Sequence, residues 1–181
     1  EITLQVKPER MKNLKKDLTE EELIDKILEY SIQTVNVKNG SMKAFVCEDF
    51  SKVSNDLCYE GRNPEADSEI AIGSAFANEY DIGDKIVVEY GDKSYSYDIV
   101  GFIQSVNFQG EVCELTGEGY LHIDSEYSSR SLYLYLENSS DTGRFLKEID
   151  DKYKDDIVKS INSYKMTMAS QEMYSGIVVA V

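Results

Sequence analysis

The sequence has little of the chemistry that most enzymes use. In 181 residues it contains no tryptophan, two prolines, three cysteines and a single histidine. GxSxG, P-loop and GxGxxG motifs are absent, so the usual nucleophile elbow and nucleotide-binding signatures are excluded. His122 stands alone in "YLHID", which is typical of a short strand. We therefore interpret His122 as structural and predict no catalytic residue.

Basic side chains are also scarce. The 19 Lys and Arg residues stand against 34 Asp and Glu residues, for a formal net charge of −15. A surface of that sign repels phosphate backbones and anionic headgroups, so we expect no nucleic-acid binding. The acidity indicates either solubility or recruitment of a cationic partner. With 41% hydrophobic residues, the chain can still form a true core in one large or two small domains.

The cysteines do not form a metal-binding pattern. Cys47, Cys58 and Cys113 show no CxxC spacing, and His122 does not complete a zinc set. We predict no metal and no cofactor. Three reduced thiols, or one disulfide and one free thiol, both fit the odd number. Because Asp56 and its neighbour permit a turn, Cys47 and Cys58 are the candidate disulfide pair.

Pairs of carboxylates occur along the chain. Glu118 with Asp124 is one example, and general acid–base catalysis by such a pair needs environments that separate the two pKa values. These residues fall in predicted turns and exposed segments, which favours a solvated surface. No EF-hand loop occurs. A hydrolase that uses Glu118 and Asp124 is therefore the least favoured functional hypothesis.

The alternation of apolar residues predicts a strand over residues 2–7. A capping box at Thr19 and Glu22, followed by apolar residues at helical spacing, predicts a helix from Thr19 to about Tyr30. Asn39-Gly40 and Gly91-Asp92 predict two hairpins, the second with a type II′ turn. Ser74 is the expected start of a brief helix that reaches Tyr80.

A strand–helix–strand pattern closes the chain, as one opens it, and the middle is rich in strands. The fold class predicted from this order is α+β, with a discontinuous βαβ-type porter-like lobe and an inserted β-rich lobe. Residues 1–47 and 128–172 form the first lobe, and residues 48–127 form the second.

The two ends of the sequence suggest a piece of a longer chain. It begins at Glu1 within an apparent strand and finishes on the apolar run "GIVVAV". No segment reaches the roughly 20 apolar residues of a transmembrane helix. By composition, residues 173–181 fit either a buried final strand or the first turns of a membrane span.

One long stretch resembles a known family. The segment "YEGRNPEADSEIAIGSAFANEYDIGDKIVVEYGDKSYSYDIVGFI" is similar to the extracytoplasmic core domain of MacB/FtsX-type ABC transporter permeases. Gly61-Arg62 precedes a loop and strand, Ile82-Gly83-Asp84 leads into the strand 85–90, and a hairpin returns to Val100-Gly101. "SLYLYLENSSDTGRFLKEIDDKY" resembles the later strand and helix of that family. The order of these features carries the resemblance, which covers most of residues 30–181.

The resemblance implies a function. It implies a non-catalytic domain that couples cytosolic ATP hydrolysis to extracytoplasmic conformational change, or to binding of a peptide, lipoprotein or protein. The implied partners are the transmembrane helices of its own permease and a cytosolic ATP-binding subunit, within a dimeric transporter. The implied location is the extracellular side of the cell membrane, in a Gram-positive bacterium, with residues 173–181 starting a membrane helix. The alternative function is a free-standing secreted or surface-anchored binding module.

Overall fold

The computed structural model describes residues 1–38, 40–54, 56–105 and 107–163. In these residues the regular elements are β1 (Ile2–Val6), α1 (Met11–Thr19), β2 (Ile24–Val37), β3 (Gly40–Cys47), β4 (Cys58–Gly61), β5 (Glu69–Gly73), β6 (Lys85–Tyr90), β7 (Lys93–Ile103), β8 (Val112–Thr116), α2 (Gly117–Leu121), β9 (Ser131–Leu136), α3 (Thr142–Lys152) and β10 (Ile157–Asn162). No helix within this described part is long and apolar enough to cross a membrane. The mixture of strands and a few helices confirms the predicted α+β class.

The chain divides into two compact units. Unit one contains Glu1–Glu29 and the described residues from Ser129 onward. Its strands follow the order β10-β1-β9-β2, and every neighbouring pair is antiparallel. Each of the connections β1-α1-β2 and β9-α3-β10 therefore skips one strand, which is the split βαβ arrangement. This confirms the predicted discontinuous βαβ-type lobe.

The core of unit one forms between the helices and one face of its sheet. Met11, Leu14 and Leu18 recur every three or four residues along α1 and are buried. Phe145 and Ile149 do the same on α3. They pack with alternate residues of the strands, including Ile2, Leu4, Val6, Leu132 and Leu134. Alternation in the strands and helical spacing in α1 and α3 thus bury matching apolar faces.

The helix predicted over residues 19–30 is wrong. The basic stretch before it forms α1, and the apolar residues from Ile24 onward belong to strand β2. The pairing of β2 with β9 is irregular between Ile24 and Lys26, so the strict alternation of side chains breaks there. Apolar residues consequently occur at Ile24, Ile27 and Leu28, a spacing that resembles one face of a helix.

Unit two contains Tyr30–Ser128. Its strands follow the order β2-β3-β8-β5-β7, and β4 pairs with the far side of β7. Strand β6 pairs with β7 along its length and meets β2 at Asn36 and Glu89, which closes the strands on themselves. The enclosed core contains Val35, Met42, Ala44, Val46, Ile70, Ile72, Ile86, Val88, Tyr97, Ile99, Cys113 and Leu115. Tyr97 and Ile99 are buried, and Tyr95 packs beside them.

Both predicted hairpins are confirmed. Val37 pairs with Gly40 across the first, although Asn39 lies outside the described residues. Tyr90 pairs with Lys93 across the second. There Gly91 has φ 58°, while no positive φ is recorded for its neighbour, as a type II′ turn requires. The brief helix expected from Ser74 is a single 3₁₀ turn over Ser74–Phe76.

The observed units differ from the predicted lobes in one segment. The sequence pattern places residues 30–47 in the first lobe, but they pair within unit two, where Tyr30 lies opposite Cys47 and β3 runs parallel to β8. The sequence alone gives no break inside β2, because one unbroken strand serves both units. The predicted segment 173–181 lies outside the described residues.

Candidate functional site

A groove of about 480 Å³ opens on unit two. That volume lies within the range of small-ligand sites in proteins. The residues that line it come from the segment after β3, from β4 with the loop that follows it, and from the end of β8. They are Glu48, Asp49, Phe50, Ser51, Asp56, Cys58, Gly61, Arg62, Asn63, Pro64, Glu65 and Thr116.

The groove is rich in hydrogen-bond acceptors. Four of its described lining residues are carboxylates, namely Glu48, Asp49, Asp56 and Glu65. Asp49 accepts hydrogen bonds from the backbone N–H of Ser51 at 3.0 Å and from its hydroxyl at 2.6 Å. These bonds, together with nearby Lys52, lower the pKa of Asp49. Asp49 is therefore held ionised at the rim.

The Arg62 guanidinium is occupied by an ion pair with Glu69. It donates to both oxygens of that carboxylate, with an Nη1–Oε2 distance of 2.7 Å. The same carboxylate accepts from the backbone N–H groups of Glu65 and Ala66 at 2.9 and 3.1 Å. The Arg62 hydrogen bonds lower the pKa of Glu69 to about 2. The charge of Arg62 is thus engaged at Glu69, which is not one of the four groove carboxylates.

Two glycines determine the backbone path where β4 borders the groove. Gly61 pairs with Gly101 where β4 meets β7. A Cβ on Gly61 would lie 2.4 Å from the Val100 carbonyl oxygen, and one on Gly101 would lie 2.2 Å from the Arg62 carbonyl oxygen. Neither distance is sterically permitted, so both positions require glycine. Gly61-Arg62 and Val100-Gly101, two features of the sequence resemblance, thus contact each other directly.

Asp56 holds residues at or near the two ends of β4 in place through two hydrogen bonds. Its Oδ1 accepts from the backbone N–H of Cys58 at 2.9 Å and from the Asn63 side-chain amide at 3.1 Å. The amide oxygen of Asn63 is buried and has no hydrogen-bond partner among the described residues. Asn63 therefore presents an unused acceptor in a residue that lines the groove.

Glu114 is a buried carboxyl close to the groove. It lies in β8 opposite Phe45 of β3 and Ala71 of β5, and only 3% of it is exposed. Directly paired residues place their side chains on the same face of a sheet, so Glu114 shares the face of these apolar residues. That face is covered by Leu57 and Cys58.

The surroundings of Glu114 disfavour its charge. Burial raises its pKa to about 8, and the negative charge of Asp56 adds to the rise. Its Oε2 has no hydrogen-bond partner among the described residues. Thr116, two residues along the same face of β8, lines the groove. Glu114 is therefore an unsatisfied acceptor beneath the groove, which is costly unless a further donor satisfies it.

Sequence reasoning missed Glu114. The sequence feature that could have identified Glu114 is a single carboxylate within "VCELT", a short strand whose other residues are apolar or small. All five residues of β8 are buried, so neither face of the strand is open to solvent. A charged residue in a strand covered on both sides must be paired, neutral or functional.

The three cysteines are free thiols in the structure. Cys47 is buried at the end of β3, and burial raises its pKa to about 12. Cys58 begins β4, and its Sγ donates to the Glu60 carbonyl oxygen at 3.2 Å. The predicted bridge between Cys47 and Cys58 is thus not formed here, and it stays a prediction for a thiol count to decide.

The other candidate residues lie elsewhere on unit two. His122 follows α2, not a strand as predicted, and its ring stacks on Tyr95 with centroids 4.0 Å apart. Its Nε2 lies 3.1 Å from Asp67. Glu118 is exposed on α2, and Asp124 accepts from the backbone N–H two residues later. Neither carboxylate is among the residues that line the groove.

No group of three or more His, Cys, Asp or Glu residues in the described part of the chain is arranged to hold a metal ion. The groove can nevertheless accept hydrogen bonds and positive charge, since four carboxylates and the Asn63 amide oxygen belong to its lining residues. Its chemistry is that of binding a donor.

Solved structures share this fold. The periplasmic region of MacB from Actinobacillus actinomycetemcomitans matches with a TM-score of 0.61 and 14% identity, over 94% of this chain and 92% of that chain. The extracellular domain of the noncanonic ABC-type transporter YknZ from Gram-positive bacteria matches with a TM-score of 0.53 and 9% identity, over 77% and 81% of the two chains. No family model and no curated protein matches the sequence. At the level of fold, the resemblance to the MacB/FtsX-type extracytoplasmic domain is confirmed.

Proposed function

We propose that this chain is the extracytoplasmic domain of an ABC transporter permease. The observation that carries the proposal is the match to the periplasmic region of MacB, which extends over 94% of this chain and 92% of that one. The match is long enough to include residues of both units of this chain. The match to the extracellular domain of YknZ supports the same role.

The proposed role is mechanical coupling rather than catalysis. Strand β2 leaves unit one beside β9, with Glu29 opposite Leu132. The chain therefore enters and leaves unit two from neighbouring strands of one sheet. A displacement of that sheet pulls on both connections, so unit two can respond to conformational change driven by a cytosolic ATP-binding subunit. In this proposal the chain lies outside the cell membrane of a Gram-positive bacterium, within a dimeric transporter.

The location can be tested by thiol labelling on intact cells. Asp92→Cys in the β6–β7 turn of the full-length protein provides an exposed thiol. We expect a membrane-impermeant maleimide to label this variant without lysis and to label the unsubstituted protein far less, because Cys47 and Cys113 are buried and Cys58 is partly covered. Labelling that requires lysis would contradict an extracytoplasmic location.

The coupling can be tested in the assembled transporter. The full-length permease is purified with the ATP-binding subunit encoded beside it, and ATP hydrolysis is measured in proteoliposomes. Removing Tyr30–Ser128 and joining Glu29 to Ser129 through a short glycine linker should uncouple hydrolysis from any extracellular ligand while the complex still assembles. A parent chain without membrane spans, or without a copurifying ATPase, would refute the permease assignment.

The alternative is a free-standing secreted or surface-anchored binding module. The groove favours this alternative, because it offers a binding site that needs no ATPase. A parent chain with a signal peptide and a wall anchor, and with no multiple membrane spans, would decide for it.

A further inference from the structure

The unsatisfied polar atoms at the groove on unit two are hydrogen-bond acceptors. The Oε2 of Glu114 and the Oδ1 of Asn63 are both buried acceptors without a partner among the described residues. Asp56 contacts Asn63 directly, and its charge acts on Glu114. Within the described part of the chain, two buried oxygens therefore lack a donor, and the carboxylate of Asp56 adds a negative charge beside them.

We propose that the groove binds a primary ammonium group, such as the lysine side chain of an extended peptide, between Asp56, Asn63 and Glu114. The proposal deepens the proposed function by naming the chemistry of an extracytoplasmic partner, and it rests on that function for its biological setting. The binding itself depends only on residues of unit two.

The chemistry of an ammonium group matches these atoms. It carries three N–H donors and one positive charge, and it has no acceptor that would face the carboxylates. Such a group would donate to Asp56, to the Asn63 amide oxygen and toward Glu114. Charge-assisted hydrogen bonds of this kind are about twice as strong as neutral ones. An anion would instead meet four lining carboxylates, with the Arg62 guanidinium already engaged by Glu69.

Glu114 distinguishes this site from an ordinary acidic surface. Exposed carboxylates are satisfied by water, whereas Glu114 is only 3% exposed and shares the sheet face against which Leu57 and Cys58 pack. Thr116 extends the same face of β8 into the groove.

The test uses the 181-residue chain and a tripeptide with a single charge. Acetyl-Ala-Lys-Ala-amide is titrated into ¹⁵N-labelled protein at pH 8, and ¹H–¹⁵N shifts are followed. We expect saturable shifts centred on residues 56–65 and 114–116. The same peptide with an Nε-acetylated lysine should give no saturable shift. Because both peptides have the same length and backbone, the comparison isolates the ammonium group and does not depend on any variant folding.

Three variants locate the site. Glu114→Gln should weaken binding at least tenfold and Asp56→Asn severalfold, while Glu89→Gln on the exposed surface of β6 should change it less than twofold. Equal weakening by all three would show general attraction to an acidic protein and overturn the proposal. So would equal binding of the acetylated peptide, or the same shifts with Ca²⁺ alone. The labelling and ATPase assays above can fail without affecting this result, so failures of the two proposals are distinguishable.

Discussion

Raising the pH should destabilise this chain through Glu114. In the folded protein the pKa of this carboxyl is raised from 4.5 to about 8, because burial disfavours the charged form and Asp56 repels it. The protonated carboxyl is therefore favoured by folding. Its contribution is fully present below pH 4.5, falls as the pH rises through the interval to about 8, and is then lost. At about 1.4 kcal/mol per pH unit, this interval corresponds to up to about 5 kcal/mol.

The assay is urea unfolding between pH 5 and pH 9, followed by circular dichroism. Glu114→Gln keeps the size and polarity of the side chain but cannot ionise. At pH 5 the variant should match the wild type to within about 1 kcal/mol. As the pH rises the variant should become the more stable protein, with the free-energy difference growing by up to about 1.4 kcal/mol per pH unit until about pH 8.

Glu89→Gln is the matched control, because Glu89 is an exposed residue of β6. Its free-energy difference from wild type should stay within about 0.5 kcal/mol across the same range. A difference for Glu114→Gln that does not change between pH 5 and pH 9 would refute the reasoning. It would mean that Glu114 ionises in the folded chain as readily as in the unfolded chain.

Three further predictions concern unit two. Glu69→Gln should lower the free energy of unfolding by about 1–2 kcal/mol near neutral pH, because the partly exposed Arg62 loses its charged partner. This difference from the wild type should shrink as the pH drops from 4.5 towards 2, and acid unfolding curves of both proteins check this. Gln109→Gly should raise the melting temperature by about 2–4 °C in calorimetry. Gln109 has φ 55°, and glycine at this position removes about 1 kcal/mol of backbone strain. A lower melting temperature would contradict this prediction. Thiol titration of the unreduced, denatured chain should find three thiols if the free cysteines of the structure persist, and one if Cys47 and Cys58 are bridged.

Much of the fold could be read from local patterns. Alternating apolar residues identified β1, and Asn39-Gly40 and Gly91-Asp92 marked their hairpins, because each depends on residues adjacent in sequence. The recurring strand–helix–strand pattern indicated the split βαβ unit, although its first helix is Met11–Thr19 and not the segment predicted. The helix predicted over 19–30 failed where a strand irregularity imitates helical spacing, which only the pairing with β9 reveals.

The groove depended on contacts between distant parts of the chain. Thr116 is far in sequence from Asp56 and Arg62 and joins them in the groove only because β4 and β8 belong to one closed arrangement of strands. The burial of Glu114 is a tertiary property in the same sense, since Leu57 and Cys58, from another segment, pack on the sheet face that Glu114 shares with Phe45 and Ala71. The division of β2 between two units is also invisible in its sequence.

By itself, the sequence determined the α+β class, the order of most elements, the acidity and the resemblance to an extracytoplasmic transporter domain, because these follow from local spacing and composition. Tertiary structure alone decided which carboxyl is buried, which guanidinium is ion-paired and where the unsatisfied hydrogen-bond acceptors lie. The pKa of a side chain and the satisfaction of its hydrogen bonds depend on what surrounds it in space, and the neighbours of Glu114 in space are not its neighbours in sequence.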